Sequence, residues 1–135
     1  MIVVDTNIIA CLYLPTEYAE YAEELLIKEP VWSVPTLWRS VFRNVLALYL
    51  RKNIITFEQV IQIQTEAEAL MDGNEFEISS IDVLKVVKDS VCSAYDCEFV
   101  ALAQNLETRL VTADKKIISE FPNTATSIQL FLSEH

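Results

Sequence analysis

Six Asp and fourteen Glu stand among 135 residues, so chemistry has to be sought in where acids fall rather than in how many there are. Asp5 closes the β-branched run Ile2-Val3-Val4, and Asp114 follows Leu110-Val111-Thr112. In an open α/β sheet, acids that end strands point into the crevice at the carboxyl ends, where ligands bind. Asp96 stands three residues after Ser93, at the start of a helical stretch. Each acid also has a plainer role: Asp5 and Asp114 as N-caps or turn residues, and Ser93-x-x-Asp96 as a capping box. Carboxylates brought together repel one another and need protonation or a cation. Without a His or Cys constellation in the sequence, the fitting cation is hard and oxygen-loving, Mg²⁺ or Mn²⁺. Such an ion activates a water and neutralises a phosphodiester, so these residues indicate hydrolysis of a phosphate ester.

Composition removes the main competitors. With Gly73 as the single glycine, neither a phosphate-cradling G-x-x-x-x-G-K-[ST] loop nor a G-x-G-x-x-G turn can be written. The single histidine is His135, which argues against a Ser-His-Asp triad or a histidine-rich zinc site. Ten Lys and Arg against twenty acids give a net charge of −10, the opposite of a basic surface that coats nucleic acid. Cys11, Cys92 and Cys97 are odd in number and follow no C-x-x-C spacing, as free thiols in a reducing compartment would. The start Met1-Ile2-Val3-Val4-Asp5 has no basic leader, and no apolar run approaches the ~18 residues that span a bilayer. A soluble, cytoplasmic protein that does not enter a membrane is expected.

The elements that would position these acids follow from periodicity. Residues 2–4 and 110–112 read as buried strands, with further short strands over 31–34, 76–78 and 125–130. Helical patterns cover 17–29, 37–51, 80–91, 94–106 and 115–120, and another runs from Thr56 to Asp72-Gly73. Pro35 suits the first turn of the helix that follows it. The apolar stripe of 37–51 is read as Leu37, Val41, Val45 and Leu48, and that of 80–91 as Ile81, Leu84, Val87 and Val91. Glu17, Glu20, Glu23, Glu24, Glu66, Glu68 and Glu107 read as solvated faces. Strands alternating with helices predict one α/β domain over 1–135, a small parallel sheet covered on both faces.

Three segments in this order resemble the PIN domain, and within it the small VapC-like ribonuclease toxins of prokaryotic toxin–antitoxin pairs. They are Ile2-Val3-Val4-Asp5-Thr6-Asn7, Tyr95-Asp96-Cys97-Glu98-Phe99-Val100-Ala101-Leu102-Ala103, and Leu110-Val111-Thr112-Ala113-Asp114. The resemblance covers nearly the whole chain and implies a PIN-like three-layer α/β/α fold. It implies Asp5, Asp96 and Asp114 as catalytic, metal-binding acids, with Asn7 and Thr112 as polar supports that orient a carboxylate or a water. It further implies cleavage of single-stranded RNA by a metal-activated water, leaving a 5′-phosphate and a 3′-hydroxyl, in a homodimer silenced by a cognate antitoxin. Glu98 reads as a solvated helical residue outside the motif.

The segment from Val34-Pro35-Thr36-Leu37-Trp38 through Leu46 resembles the family's second motif, but Val41 occupies the place where a Glu normally stands. Valine offers no oxygen, so one of the usual four acids is missing. Loss of an acid that holds the metal should cost at least the ~10–100-fold seen when its outer supports are changed. The alternative is therefore a catalytically silent PIN module that binds RNA or an antitoxin-like protein. Arg39, Arg43, Lys115 and Lys116 are candidate RNA contacts, with ion-paired or solvated roles as the alternative. Trp32, Trp38, Tyr13 and Tyr95 read as core or interface rather than as base-stacking platforms. A receiver domain would need a mid-chain phosphoacceptor Asp, yet no Asp lies between Asp5 and Asp72. A haloacid-dehalogenase-like site would need D-x-D, where position 7 is Asn.

Overall fold

The computed structural model describes residues 1–134, and His135 lies outside the described residues. Ile2, Val3 and Val4 have no polar atom to offer solvent, and they form the central, fully buried strand β1 (Ile2–Val4). Strands β2 (Trp32–Pro35), β3 (Glu75–Phe76), β4 (Leu110–Val111) and β5 (Ala125–Thr126) join it in the order β3-β2-β1-β4-β5, every pair parallel. The chain builds outward from β1 to β2 and β3 on one side, then returns to place β4 and β5 on the other. The reversal puts a topological switch point between β1 and β4, where Val3 pairs with Leu110 and Val4 with Val111. A crevice opens beyond the carboxyl ends of strands at such a point.

Helices flank the sheet, giving the PIN-like α/β/α architecture expected. In chain order they are α1 (Thr6–Tyr13), α2 (Ala19–Lys28), α3 (Trp38–Arg51), α4 (Phe57–Leu70), α5 (Ser80–Lys88), α6 (Ala94–Asn105), α7 (Lys115–Glu120) and α8 (Ile128–Glu134). Helix α6, buried along Cys97 and Phe99 to Ala103, lies over β1, β2 and β4 and carries α5. A second group gathers α2, α3 and α4 around α1, with α8 against α2. Thr56 starts α4 with a complete capping box, its hydroxyl accepting from Gln59 N–H and the Gln59 amide oxygen from Thr56 N–H. Past the end of α4, Gly73 takes φ +79°, a left-handed turn that glycine adopts without strain.

Several local readings change. Residues 6–13, unassigned from pattern, form α1; Ile8, Ile9 and Cys11 are buried while Leu12 and Tyr13 pack against the core, so no polar stripe marks the helix. Pro35 is the last residue of β2, not the first turn of α3. Val34 and Thr36 donate to Asn74 O and Phe76 O, so the bond a proline cannot make faces the side where β1 has already ended. The buried stripe of α3 is Trp38, Phe42 and Leu46; Val41 is only half-buried and Leu48 is exposed. On α5 the buried residues are Val83 and Val86, whereas Ile81 and Leu84 face solvent. Residues 125–130 divide into the two-residue β5 and the start of α8. Trp32 and Trp38 are fully buried, and Cys11, Cys92 and Cys97 are buried free thiols.

Candidate active site

Asp5 leaves β1 and caps α1. Its backbone donates to Val111 O, which fixes it beside the end of β4. Its Oδ1 accepts from Thr6 N–H at 2.7 Å. Its Oδ2 accepts from the Thr112 hydroxyl at 2.7 Å and from Asn7 Nδ2 at 3.3 Å. Asn7 also reaches across the crevice, its Oδ1 accepting from Ala113 N–H at 3.1 Å. Thr112 also accepts, from Asp114 N–H at 3.0 Å. One threonine hydroxyl thus fixes both the carboxylate of Asp5 and the backbone of Asp114, and Asn7 ties the two strand ends together.

Asp114 caps α7, its Oδ1 accepting from Lys116 N–H at 2.9 Å. Asp96 sits in the first turn of α6, where Ser93 caps the helix by accepting from Asp96 N–H at 3.1 Å. The cap roles open from sequence are therefore real for Asp5 and Asp114, and they coexist with convergence. Asp5 feels the charges of both Asp96 and Asp114, and Asp96 that of Asp114.

Burial pushes the Asp5 carboxyl up to about 6, with Asp96 and Asp114 adding to the rise and the Thr112 and Thr6 hydrogen bonds opposing it. Asp96 is raised by burial first and by Asp114 second, while the Ser93 hydroxyl and the Lys116 ammonium pull it down. Three acids thus lie within electrostatic reach of one another, and the Lys116 ammonium partly offsets their charge on Asp96. Among the described residues, no three His, Cys, Asp or Glu side chains stand close enough to hold a metal ion by themselves. The donor set suits a hydrated hard cation instead: Mg²⁺ keeps several waters and takes one or two carboxylates, unlike a dehydrated all-protein cage. An anionic, oxygen-only crevice with raised carboxyls fits that ion.

Other singled-out residues fall elsewhere. The Arg39 guanidinium is taken up by carboxylates, with Nε and NH2 on Glu75 at 2.7 Å each and NH1 on Glu68 at 2.8 Å. Arg39 thus takes the ion-paired role that stood as its alternative, and Glu68 is drawn off the solvated face. Arg43 is exposed and donates to Ser40 Oγ at 3.0 Å. Lys115 and Lys116 are exposed and form no ion pair among the described residues. Glu98 is half-buried rather than solvated, its carboxyl raised by burial beside Val83, Leu84 and Ala94. Pattern reading missed Lys116 as the cation facing Asp96; its position two residues after a strand-end acid was the available signal.

Residues 2–123 match the PIN domain family. Ribonuclease VapC3 of Pyrobaculum aerophilum is 28% identical over 138 residues, which span 93% of this chain and 98% of that one. Among solved structures, FitAcB from Neisseria gonorrhoeae aligns with a TM-score of 0.76 at 15% identity, covering 96% of this chain and 99% of its own. FitAB bound to an IR36 DNA fragment aligns at 0.72, also at 15% identity, over 95% of each chain. At that identity the two structures speak for the fold. The family match and the matching fold point the same way: this chain belongs to the PIN domain family and is VapC-like.

Proposed function

We propose that the chain, as one domain over 1–135, is a metal-dependent endoribonuclease of a toxin–antitoxin pair acting on single-stranded RNA. The convergence of Asp5, Asp96 and Asp114 at the β1/β4 switch point, with Thr112 and Asn7 fixing Asp5, carries this reading. Asp5, Asp96 and Asp114 would hold a hydrated Mg²⁺ or Mn²⁺, in part through its waters, and the ion would supply a more acidic water and neutralise phosphate charge. Thr112 and Asn7 hold Asp5 Oδ2 from one side, leaving Asp5 its remaining lone pairs for the ion. Lys115 and Lys116, exposed beside Asp114, offer cations to the flanking phosphates. Water adds to phosphorus and the P–O3′ bond breaks, giving a 5′-phosphate and a 3′-hydroxyl. A cognate antitoxin, a homodimer and a cytoplasmic setting complete the reading.

One observation favours a second reading, a silent PIN module that binds RNA or an antitoxin-like protein: half-buried Val41 stands where the second motif carries Glu. Both readings meet in one assay, single-stranded RNA cleavage with Mg²⁺ or Mn²⁺ by this chain, Asp5→Ala and Val41→Glu. The ribonuclease reading expects weak cleavage by the parent, a gain of ~10–100-fold or more in Val41→Glu, and none in Asp5→Ala. Absence of cleavage by Val41→Glu across diverse RNAs and both metals would leave the silent module.

A further inference from the structure

Beyond the carboxylates, the C-terminal edge of the sheet opens into a pocket of about 210 Å³. Ile8, Ile118 and Ile128 wall it, Tyr18 and Lys115 contribute at its side, and Gln129 supplies an amide. Its walls are chain neighbours of the site. Ile8 follows Asn7, Ala113 and Lys115 bracket Asp114, and Ser127 follows β5. The pocket thus lies next to the strand-end acids, on the side of β5.

Resting on the ribonuclease reading, we propose that this pocket receives the nucleobase of the nucleotide next to the scissile phosphate. The chemistry of the walls selects that occupant. Aliphatic side chains and a phenol ring suit a flat ring, and stacking on an aromatic face tolerates any base. An amide offers a donor and an acceptor to a base edge. Lys115, without an ion-pair partner among the described residues, provides a cation for a phosphate at the mouth. On a chain of net charge −10, a polyanionic strand needs such a local anchor. Size argues against a protein helix: helix-in-groove binding needs a row of anchors along one face, whereas this volume lies below the ~300–1,000 Å³ of ordinary ligand pockets and admits a single ring system.

Titrating the metal-free chain with AMP, GMP, CMP, UMP and ribose 5-phosphate, followed by amide chemical shifts, tests the assignment. At least one nucleotide should bind ~10-fold tighter than ribose 5-phosphate, with shifts at Ile8, Ala113 and Ser127. Tyr18→Ala should cost that nucleotide about tenfold while leaving ribose 5-phosphate binding and the melting temperature unchanged. Lys115→Ala should weaken nucleotides and ribose 5-phosphate alike. Equal binding of ribose 5-phosphate and all nucleotides, or nucleotide binding indifferent to Tyr18→Ala, would overturn the proposal. So would an amphipathic helical peptide that shifts the same amides when no nucleotide does. Mn²⁺ titration of the same samples keeps the two readings apart: nucleotide binding without Mn²⁺ binding removes the ribonuclease and keeps the pocket, and the converse removes the pocket alone.

Discussion

Around Arg39, the chain answers its own acids: Glu75 receives two guanidinium N–H groups and the Trp38 indole N–H, and Glu68 a third from Arg39. Around Asp5 it does not. There a buried carboxylate faces two others, and the donors that reach it are hydroxyl, amide and backbone groups. The pKa shifts run in opposite directions. Arg39 and Trp38 hold Glu75 below the usual carboxylate range, while burial and like charge raise Asp5. One cluster is complete as folded and joins α3, α4 and β3; the other is suited to a cation brought from outside. Acid-rich clusters are thus told apart by what neutralises them, not by their content of acids.

Substitutions that exchange the two behaviours break this comparison most sharply. Asp5→Asn keeps a helix cap but removes the charge, and should weaken Mn²⁺ binding by ~100-fold or more in calorimetry while raising the metal-free melting temperature at pH 7. Arg39→Met should do the reverse, leaving Mn²⁺ affinity unchanged and lowering the melting temperature by several degrees, because Glu75 and Glu68 lose their counter-charge. Thr112→Val removes the hydroxyl from Asp5 and the acceptor from Asp114 N–H, and about a tenfold loss of Mn²⁺ affinity is expected. Trp38→Phe deletes one donor to Glu75 from a buried ring, a cost of about 1 kcal/mol in denaturant unfolding with no change in metal binding.

pH separates the clusters further. Asp5 titrates near 6 in the folded state, above its ordinary 3.8, so the folded chain binds its proton more tightly than the unfolded chain. That contribution is full below about pH 4 and is lost as pH rises through about 6. Metal-free protein should therefore lose stability from pH 5 to pH 7, and saturating Mg²⁺ should offset the loss. Glu75 is shifted down, so its contribution holds above the ordinary carboxylate range and fades as pH falls below it. Thermal melts at pH 4, 5 and 7, with and without Mg²⁺, check both signs, and in Asp5→Asn the fall between 5 and 7 should shrink.

What the sequence disclosed divides along physical lines. The strand-end places of Asp5 and Asp114 were legible because short apolar runs that stop at polar residues read as buried strands, and the helix start at Thr56 rests on local chemistry. Helix faces were not. Leu37, Trp38, Val41, Phe42, Val45 and Leu46 offer two interleaved stripes at helical spacing, and the packing of α3 against α1 and α4 decides which is buried. The same ambiguity turned Ile81 and Leu84 outward, and it hid α1, whose apolar residues leave no polar face to set a period. The fate of Arg39 depends on Glu68 and Glu75, about thirty residues or more away, with no local signal. Val41 shows both kinds: its identity announced the missing acid, but its half-buried place had to be seen.

The pairing of Val3 with Leu110 has a consequence in time. β1 is central, yet its β4 neighbour and the Thr112 hydroxyl that fixes Asp5 come more than a hundred residues later. Contacts this distant in sequence form slowly, since the loop they close must be ordered first. As the chain leaves the ribosome, β1, β2 and β3 can assemble while the crevice still lacks one wall. Asp5 therefore gains its Thr112 partner only after the whole segment between them has been made.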